Sequence, residues 1–323
     1  MKRVAIVVGL VAVVASAFAL RAVRGGEAAK QSGEVATKVL LCATEMADVC
    51  SDLGDATLQV RVEDPGTTLA RLRSGGALAA DAWLTPRMWS DLAQLSAQAA
   101  GRADPFDNVS PTLARTPLVI IIRSDRRAVL EDACGGVIDW VCLARRAGSP
   151  WSEIGGSTAW GNLRVGVDRP ERTTGGLVTL AQIAATFVHR DTFDARDLDP
   201  ISSTLDAVAA GVSPSTDRSA LDNMLEHTDS YDAAVALEAG TRIAIASPRA
   251  SGQLELVEVE PTTSADVVLV TAARSSAPID HNRVQQALTT NGWHFPDKTE
   301  PGIPDPATLE DLVARFERAW AGR

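Results

Sequence analysis

From residue 38 onward, apolar and polar positions repeat with two periods, and the switches between them mark strands and helices. Lys38–Cys42 is a short apolar run ending at Ala43-Thr44-Glu45. Met46–Leu53 then repeats apolar residues at helical spacing up to Gly54. Thr57–Val62 predicts a second strand, with Gln59 and Arg61 alternating with Val60 and Val62. Pro65-Gly66-Thr67 opens a helix through Leu72 that stops at Gly75-Gly76, Asp81–Pro86 is strand-like and halted by proline, and Arg87 to about Ala100 is helical. This β-α-β-α-β-α order favours a parallel sheet with helices on both faces. Ligands collect at the carboxyl ends of strands in such sheets, which singles out Ala43-Thr44-Glu45 and Thr85-Pro86. Thr44 and Thr85 equally suit the plainer role of capping the helices they precede.

The most apolar strand is predicted at Pro117–Arg123 (PLVIIIR), followed by a helix over Arg126–Ala133 and a loop from Cys134 to Cys142. Arg145–Trp160, rich in Gly, Ser and Trp, reads as an exposed connection. Asn162–Arg190 holds a buried strand (Leu163–Val167), a turn broken by Pro170, the run Thr173-Thr174-Gly175-Gly176, and an apolar helix of some fourteen residues. A helix start presents unpaired N–H groups and the positive end of the dipole. Glycines there admit a ligand to the backbone, and threonines add hydroxyl donors. The turn is therefore expected to form half of a ligand cleft; alternatively, Thr173 only caps the helix and the glycines ease packing. Asp191–Ser230 is acidic and broken, with short helices near Thr204–Ala210 and Ser219–Glu226. Tyr231–Leu237 fits a strand or a turn of helix; Thr241–Ala246, Gln253–Glu260 and Ala265–Ala272 read as strands; Asn282–Asn291 and Pro306–Trp320 read as helices.

The N-terminus bears on the compartment. Lys2-Arg3 precede an apolar run from Val4 to Leu20, followed by Arg21 and Arg24. Ala15-Ser16-Ala17 suits signal-peptidase cleavage, whereas the run also reaches the lower limit of about 17 residues for spanning a bilayer. Residues 1–26 are thus a signal peptide or a single transmembrane anchor, and 27–37 a small, polar, flexible linker. Both readings place the folded body outside the cytoplasm. Four cysteines there suggest disulfides, and local pairing of Cys42 with Cys50 and of Cys134 with Cys142 is the preferred connectivity. The first pair is the harder to close, because a rise of about 1.5 Å per residue carries Cys50 roughly 8 Å along its helix. A bridge wants Cα atoms within about 7 Å. Zinc is the poorer alternative, since neither pair has CxxC spacing.

The chain of 323 residues is 46% apolar, enough for a real core, and its formal charge is −10. Residues 1–26 carry four basic and no acidic side chains, which leaves −14 for the rest. No block of Lys or Arg forms a patch, so nucleic acid is excluded as a partner. Catalytic signatures are absent as well. Gly155-Gly156-Ser157-Thr158-Ala159 lacks the last glycine of a nucleophile elbow, the four histidines show no HExxH spacing, and no lysine follows a glycine run. The sequence calls for no catalytic residue, no metal and no cofactor.

The order of parts resembles the extracellular solute-binding proteins of ABC transporters, in the two-lobed type II class that includes sulfate and molybdate binders. It is most similar to actinobacterial substrate-binding domain proteins. The residues that carry the resemblance are VLLCATEMADVC, DAWLTPRMW, SPTLARTPLVIII, LRVGVDRPERTTGGLVTL, YDAAVALEAG, ADVVLV and the terminal QALTTNGWHFP and GIPDPATLEDLVARFERAW. The resemblance implies an α/β, periplasmic-binding-protein-like fold whose lobes are each a mainly parallel sheet flanked by helices. The chain would build lobe 1 over 38–117, lobe 2 over 118–247, and return to lobe 1 over 248–323, crossing near Thr116-Pro117 and Ser247-Pro248. Ligand residues carried over by position are Thr44, Glu45, Thr85 and Thr116 from lobe 1, and Thr173, Thr174, Gly175, Tyr231 and Asp232 from lobe 2. One departure matters. Oxyanion binders commonly place serine in the first loop, whereas Glu45 brings a carboxylate that repels an anion. The implied function is an extracytoplasmic protein, not an enzyme, that closes over a small polar ligand for an ABC-type importer. Its partners would be that ligand, a permease and, through the N-terminal segment only, the membrane. The alternative is a membrane-anchored interaction module with a degenerate cleft.

Overall fold

The computed structural model describes residues 37–321 apart from 191, 216–217, 228, 249, 251, 260–261, 274, 276–278 and 295–302. The signal or anchor over 1–26, and all of the linker but Thr37, lie outside the described residues. No described helix is long and apolar enough to cross a membrane.

Residues 38–99 form the expected alternation: β1 (Lys38–Ala43), α1 (Ala47–Leu53), β2 (Leu58–Glu63), α2 (Pro65–Arg73), β3 (Ala82–Pro86) and α3 (Arg87–Ala99). Pro65 sits in the first turn of α2, where its missing N–H costs nothing. A short strand β4 (Phe106–Val109) leads to β5 (Ala114–Arg123), α4 (Ser124–Ala133) and α5 (Trp140–Arg146). Then follow β6 (Val165–Val167), α6 (Thr174–Val188), α7 (Ala195–Leu198), α8 (Ser202–Gly211), β7 (Ser213–Pro214) and α9 (Ala220–Glu226). The chain finishes with β8 (Ala233–Leu237), α10 (Glu238–Ala246), β9 (Leu254–Val257), β10 (Ser264–Ala272), α11 (His281–Thr290) and α12 (Pro306–Ala321).

The strands run in the order β2-β1-β3-β10-β5-β8-β6-β7, with β4 on β10 and β9 on β5. The β-α-β units are parallel as expected (β1 with β2 and β3, β6 with β7 and β8), while β10 and β5 pair antiparallel with their neighbours. β5 is the seam. Its Ala114–Pro117 half pairs with β10, and from Leu118 onward it pairs with β8 and β9. Ile120, Ile121 and Ile122 are fully buried, which explains the unbroken apolar run: a strand covered on both faces has no polar side to alternate with. Helix α6 is similarly buried on every side over Thr174–Ala185, so it reads as apolar all round.

Both local disulfides form. Cα atoms are 6.6 Å apart for Cys42–Cys50 and 5.5 Å for Cys134–Cys142. A 3-10 turn over Thr44–Met46 doubles the chain back after β1, which brings Cys50 beside Cys42 despite the helical rise between them. Two expectations are corrected. Thr241–Ala246 is not a strand but the body of α10, entered through Ala239 and Gly240 in non-helical conformation, the latter at φ 79°. Thr241 Oγ1 donates to the Leu237 carbonyl at 2.5 Å and Arg242 pairs with Glu238 one turn back, two bonds that favour a helix over a strand. Six residues of mixed apolar character cannot be assigned by periodicity alone. Second, the 145–160 connection is exposed at only half of its positions and is anchored by Trp151, which is fully buried, and by Ile154.

Trp151 belongs to a polar cluster inside this half of the sheet. Asp232 is fully buried and accepts bonds from Trp151 Nε1–H at 3.1 Å and from the Arg164 N–H at 2.8 Å. Its counter-charge is Arg126, whose side chain is 8% exposed and whose guanidinium lies 5.1 Å from the Trp160 ring and 5.8 Å from the Trp151 ring. Removing one member of such a pair strands the other charge in the interior, at about 3–5 kcal/mol. Asp232→Ala and Arg126→Ala should each lower stability by about that much in denaturant melts. The double variant should fall short of the summed losses by more than about 1 kcal/mol; strict additivity would show that the two side chains act independently.

Candidate functional site

The carboxyl ends of β1, β6, β7 and β8 open onto one cavity of about 440 Å³. Its first wall is the turn after β1, with Thr44 and Glu45, together with Asp64 after β2. Its second wall is the turn after β6, with Asp168, Arg169, Arg172, Thr173 and Gly175. Ser215 after β7, Ser219 and Asp222 at the start of α9, and Ala239-Gly240 after β8 complete it.

The two walls touch. The Gly66 N–H donates to the Arg172 carbonyl at 3.1 Å, and Arg172 pairs with Asp64 at 2.6 Å. A Cβ on Gly66 would lie 2.0 Å from the Glu171 carbonyl oxygen, so only glycine permits this approach. Thr44 Oγ1 donates to Asp64 Oδ1 at 2.9 Å. Deeper in, Glu45 Oε1 accepts the Thr174 N–H, the first amide of α6, at 2.5 Å. Trp89 Nε1–H donates to Thr174 Oγ1 at 2.8 Å. The helix start that reads as an anion cradle is thus already engaged by a carboxylate of the same chain.

Of the expected ligand residues, Thr44, Glu45, Thr173 and Gly175 come together on the cavity, and Thr174 lies buried directly behind it. Thr173 does cap α6, its Oγ1 accepting the Gly176 N–H at 3.2 Å. Gly176 is needed by the turn itself, because a Cβ there would sit 2.5 Å from the Asp168 carbonyl oxygen. The other four stand apart from the cavity. Thr85 is fully buried in β3 and caps nothing; Thr116, also buried, accepts the Ala239 N–H at 2.8 Å and so holds the loop that forms one wall. Tyr231 packs against Gly166 and donates to the Pro214 carbonyl at 3.4 Å. Asp232 is the buried partner of Arg126.

Asp168 and Arg172 are cavity residues that the sequence reading did not single out, and Asp64, which beside Glu63 at a strand end reads as a solvated turn, lines the cavity too. Asp168 was within reach of that reading, being the first residue past β6 and so at the carboxyl end of a strand. Its Oδ1 accepts the Ala220 N–H at 2.6 Å. The Asp168 carboxyl is pushed up to about 7, chiefly by burial, with the charges of Glu45 and Asp222 adding to the rise and the Ala220 bond opposing it. Burial also raises Glu45, against its bonds to backbone amides, chiefly its own and that of Thr174. Among the described residues, no group of three or more His, Cys, Asp or Glu side chains is placed to hold a metal ion.

These shifts fix a sign. A carboxyl raised from 3.8 to about 7 keeps its proton in the folded state where the unfolded chain has released it. The stabilisation is complete below about pH 4 and is lost as the pH rises through about 7. In the absence of added solute, the wild-type Tm should fall relative to Asp168→Asn between pH 4 and about 8 in thermal melts. Parallel curves would show that Asp168 is ionised throughout.

No protein-family model matches the chain, and no curated protein matches it. Solved structures do. A periplasmic thiamin binding protein superposes with a TM-score of 0.56 at 14% identity, over 88% of this chain and 96% of that one. Iron-bound HitA from Pseudomonas aeruginosa gives 0.57 at 12% identity, over 88% and 99%. A putative spermidine/putrescine ABC transporter from Listeria monocytogenes gives 0.55 at 10% identity, over 89% and 100%. At such identities the likeness is one of fold, and the fold is that of the periplasmic solute-binding proteins.

Proposed function

We propose that this chain is an extracytoplasmic solute-binding protein that encloses a small polar ligand and delivers it to an ABC-type importer. The observation that carries the reading is the 440 Å³ cavity, where Thr44 and Glu45 on one wall face Thr173, Gly175 and Asp168 on the other. Its volume lies in the range of about 300–1,000 Å³ that holds small molecules. The reading is of binding and not of catalysis. The likeness to solute-binding proteins supports it, as do the disulfides, which suit an oxidising compartment. The N-terminal apolar run fits the same compartment, as signal or anchor.

The two lobes are part of this proposal. The strand pairing supports a crossing at Thr116-Pro117, because β5 changes partners between Pro117 and Leu118. It supports a return between β9 and β10, later than Ser247-Pro248, since Leu254–Val257 still pairs with the second half of β5. Hinge motion about these crossings would open and close the cavity, and the closed form would be the one a permease recognises. Thr44, Glu45, Thr173 and Gly175 are the ligand-facing residues in this reading, with Thr174 fixed behind them. Kinship with the actinobacterial and sulfate- or molybdate-type binders extends to the scaffold; Glu45 sets the cavity apart from an oxyanion site.

Thr44→Trp places a bulky side chain at an exposed position on the cavity wall, outside the buried core. A solute screened at about ten times its wild-type Kd should raise the Tm of Thr44→Trp by less than about a quarter as much as that of wild type, corresponding to a loss of more than about tenfold in affinity. An equal shift in both proteins would place the solute elsewhere.

A further inference from the structure

Building on the solute-binding reading, we infer that the solute is an organic cation, held by Glu45, Asp168 and Asp222 in the cavity between the turns after β1 and β6. Three independent features of the walls lead there.

First, two of the three leading amides of α6 are already engaged. The leading amide of α6 is bonded to Glu45 and the third to Thr173 Oγ1. Second, the wall arginines are each committed to a carboxylate: Arg172 to Asp64 at 2.6 Å, Arg169 to Glu171 at 2.9 Å, and Arg218 to Glu226. Third, Glu45, Asp168 and Asp222 line the cavity and form no ion pair among the described residues. Glu45 Oε2 is buried with no hydrogen-bond partner, although its sister oxygen is bonded to Thr174. A buried carboxylate oxygen without a donor is costly, and a donor reaching it from the cavity would relieve that cost. An ammonium or guanidinium supplies both the donor and the missing charge.

A metal ion fits less well, because the three carboxylates do not converge into a ligand group. They are spread over a space sized for an organic molecule, with Leu221, Leu237 and Ala244 covering its apolar part. Thr44, Ser215 and Ser219 add hydroxyls. The cavity therefore offers carboxylates for charge and an apolar part for carbon.

Binding a cation there has a proton consequence. Asp168 is faced by Glu45 from the turn after β1, by Asp222 from α9 and by Tyr231 ahead of β8, with Arg169 beside it in sequence. A cation placed among these carboxyls favours the ionised form of Asp168, so the protein releases a proton on binding near neutral pH.

The test is calorimetric titration of the full-length chain with spermidine, choline and arginine as cationic probes, sulfate and phosphate as anions, and glucose as a neutral probe. We expect a cationic probe to bind, with affinity falling at least about tenfold in Asp222→Asn. The binding enthalpy at pH 7 should depend on the ionisation enthalpy of the buffer in wild type, reporting proton release, and lose that dependence in Asp168→Asn. Binding of sulfate, phosphate or glucose, blocked by Thr44→Trp and unaffected by Asp222→Asn, would overturn the cation assignment while leaving the solute-binding reading intact. Binding of no probe at all would overturn both.

Discussion

The bond between Glu45 and the first amide of α6 is the constraint on which the rest of the site depends. Helix α6 is buried on all sides over its first twelve residues, so its N-terminal amides have little water to satisfy them. A carboxylate at that position meets both the unpaired donor and the helix dipole, and a charged hydrogen bond of this kind is worth about 1.5–3 kcal/mol. Burial of Glu45 works against its ionisation, which the backbone amide bonds partly offset. The same residue lies one turn beyond β1, so satisfying the helix also fixes the edge of the opposite wall. Trp89 on α3 completes the arrangement by donating to the Thr174 hydroxyl.

This has consequences for the proposed closure. Glu45–Thr174, Gly66–Arg172 and Asp64–Arg172 bring the walls together with contacts belonging to the chain alone. A ligand shifts an opening equilibrium only by its differential affinity for the two states. Self-made contacts of this kind raise the closed population before any ligand arrives. On the cation reading, the ligand would then counter the charge of the carboxylates that closure crowds together, so that electrostatics would be a larger part of its differential affinity than new hydrogen bonds.

Much of the fold was legible in the sequence, and the reason is local. The β-α-β start, β5, α6 and the last two helices each announce themselves through a period and a stop signal within their own residues. Both disulfides close over short spacings for the same reason. Where period and length were both insufficient, as at Thr241–Ala246, the assignment failed: the deciding features were a Gly240 kink and bonds reaching back to β8. The burial of Trp151 depends on Asp232, 81 positions away, which no local pattern encodes. The site divides in the same manner. Thr44, Glu45, Thr173 and Gly175 occupy strand-to-helix turns and follow from the rule about strand ends. The partnership of Asp64 with Arg172 spans 108 positions and that of Glu45 with Thr174 spans 129, so their pairing became visible only in three dimensions.

The contrast between resemblance and chemistry turns on Glu45. The strand–TTGG–helix unit by itself is an anion site: a helix N-terminus, glycines and threonine hydroxyls. Placing one carboxylate opposite it changes the sign of what the cavity accepts without altering a single element of the fold. Helix dipoles act with about half a unit charge and fall off within a turn, whereas a carboxylate brings a full charge and, here, occupies the donor itself. The nearer and larger charge wins. A scaffold shared with proteins of differing cargo therefore says little about cargo, and the carboxyl groups of Glu45, Asp168 and Asp222 say more.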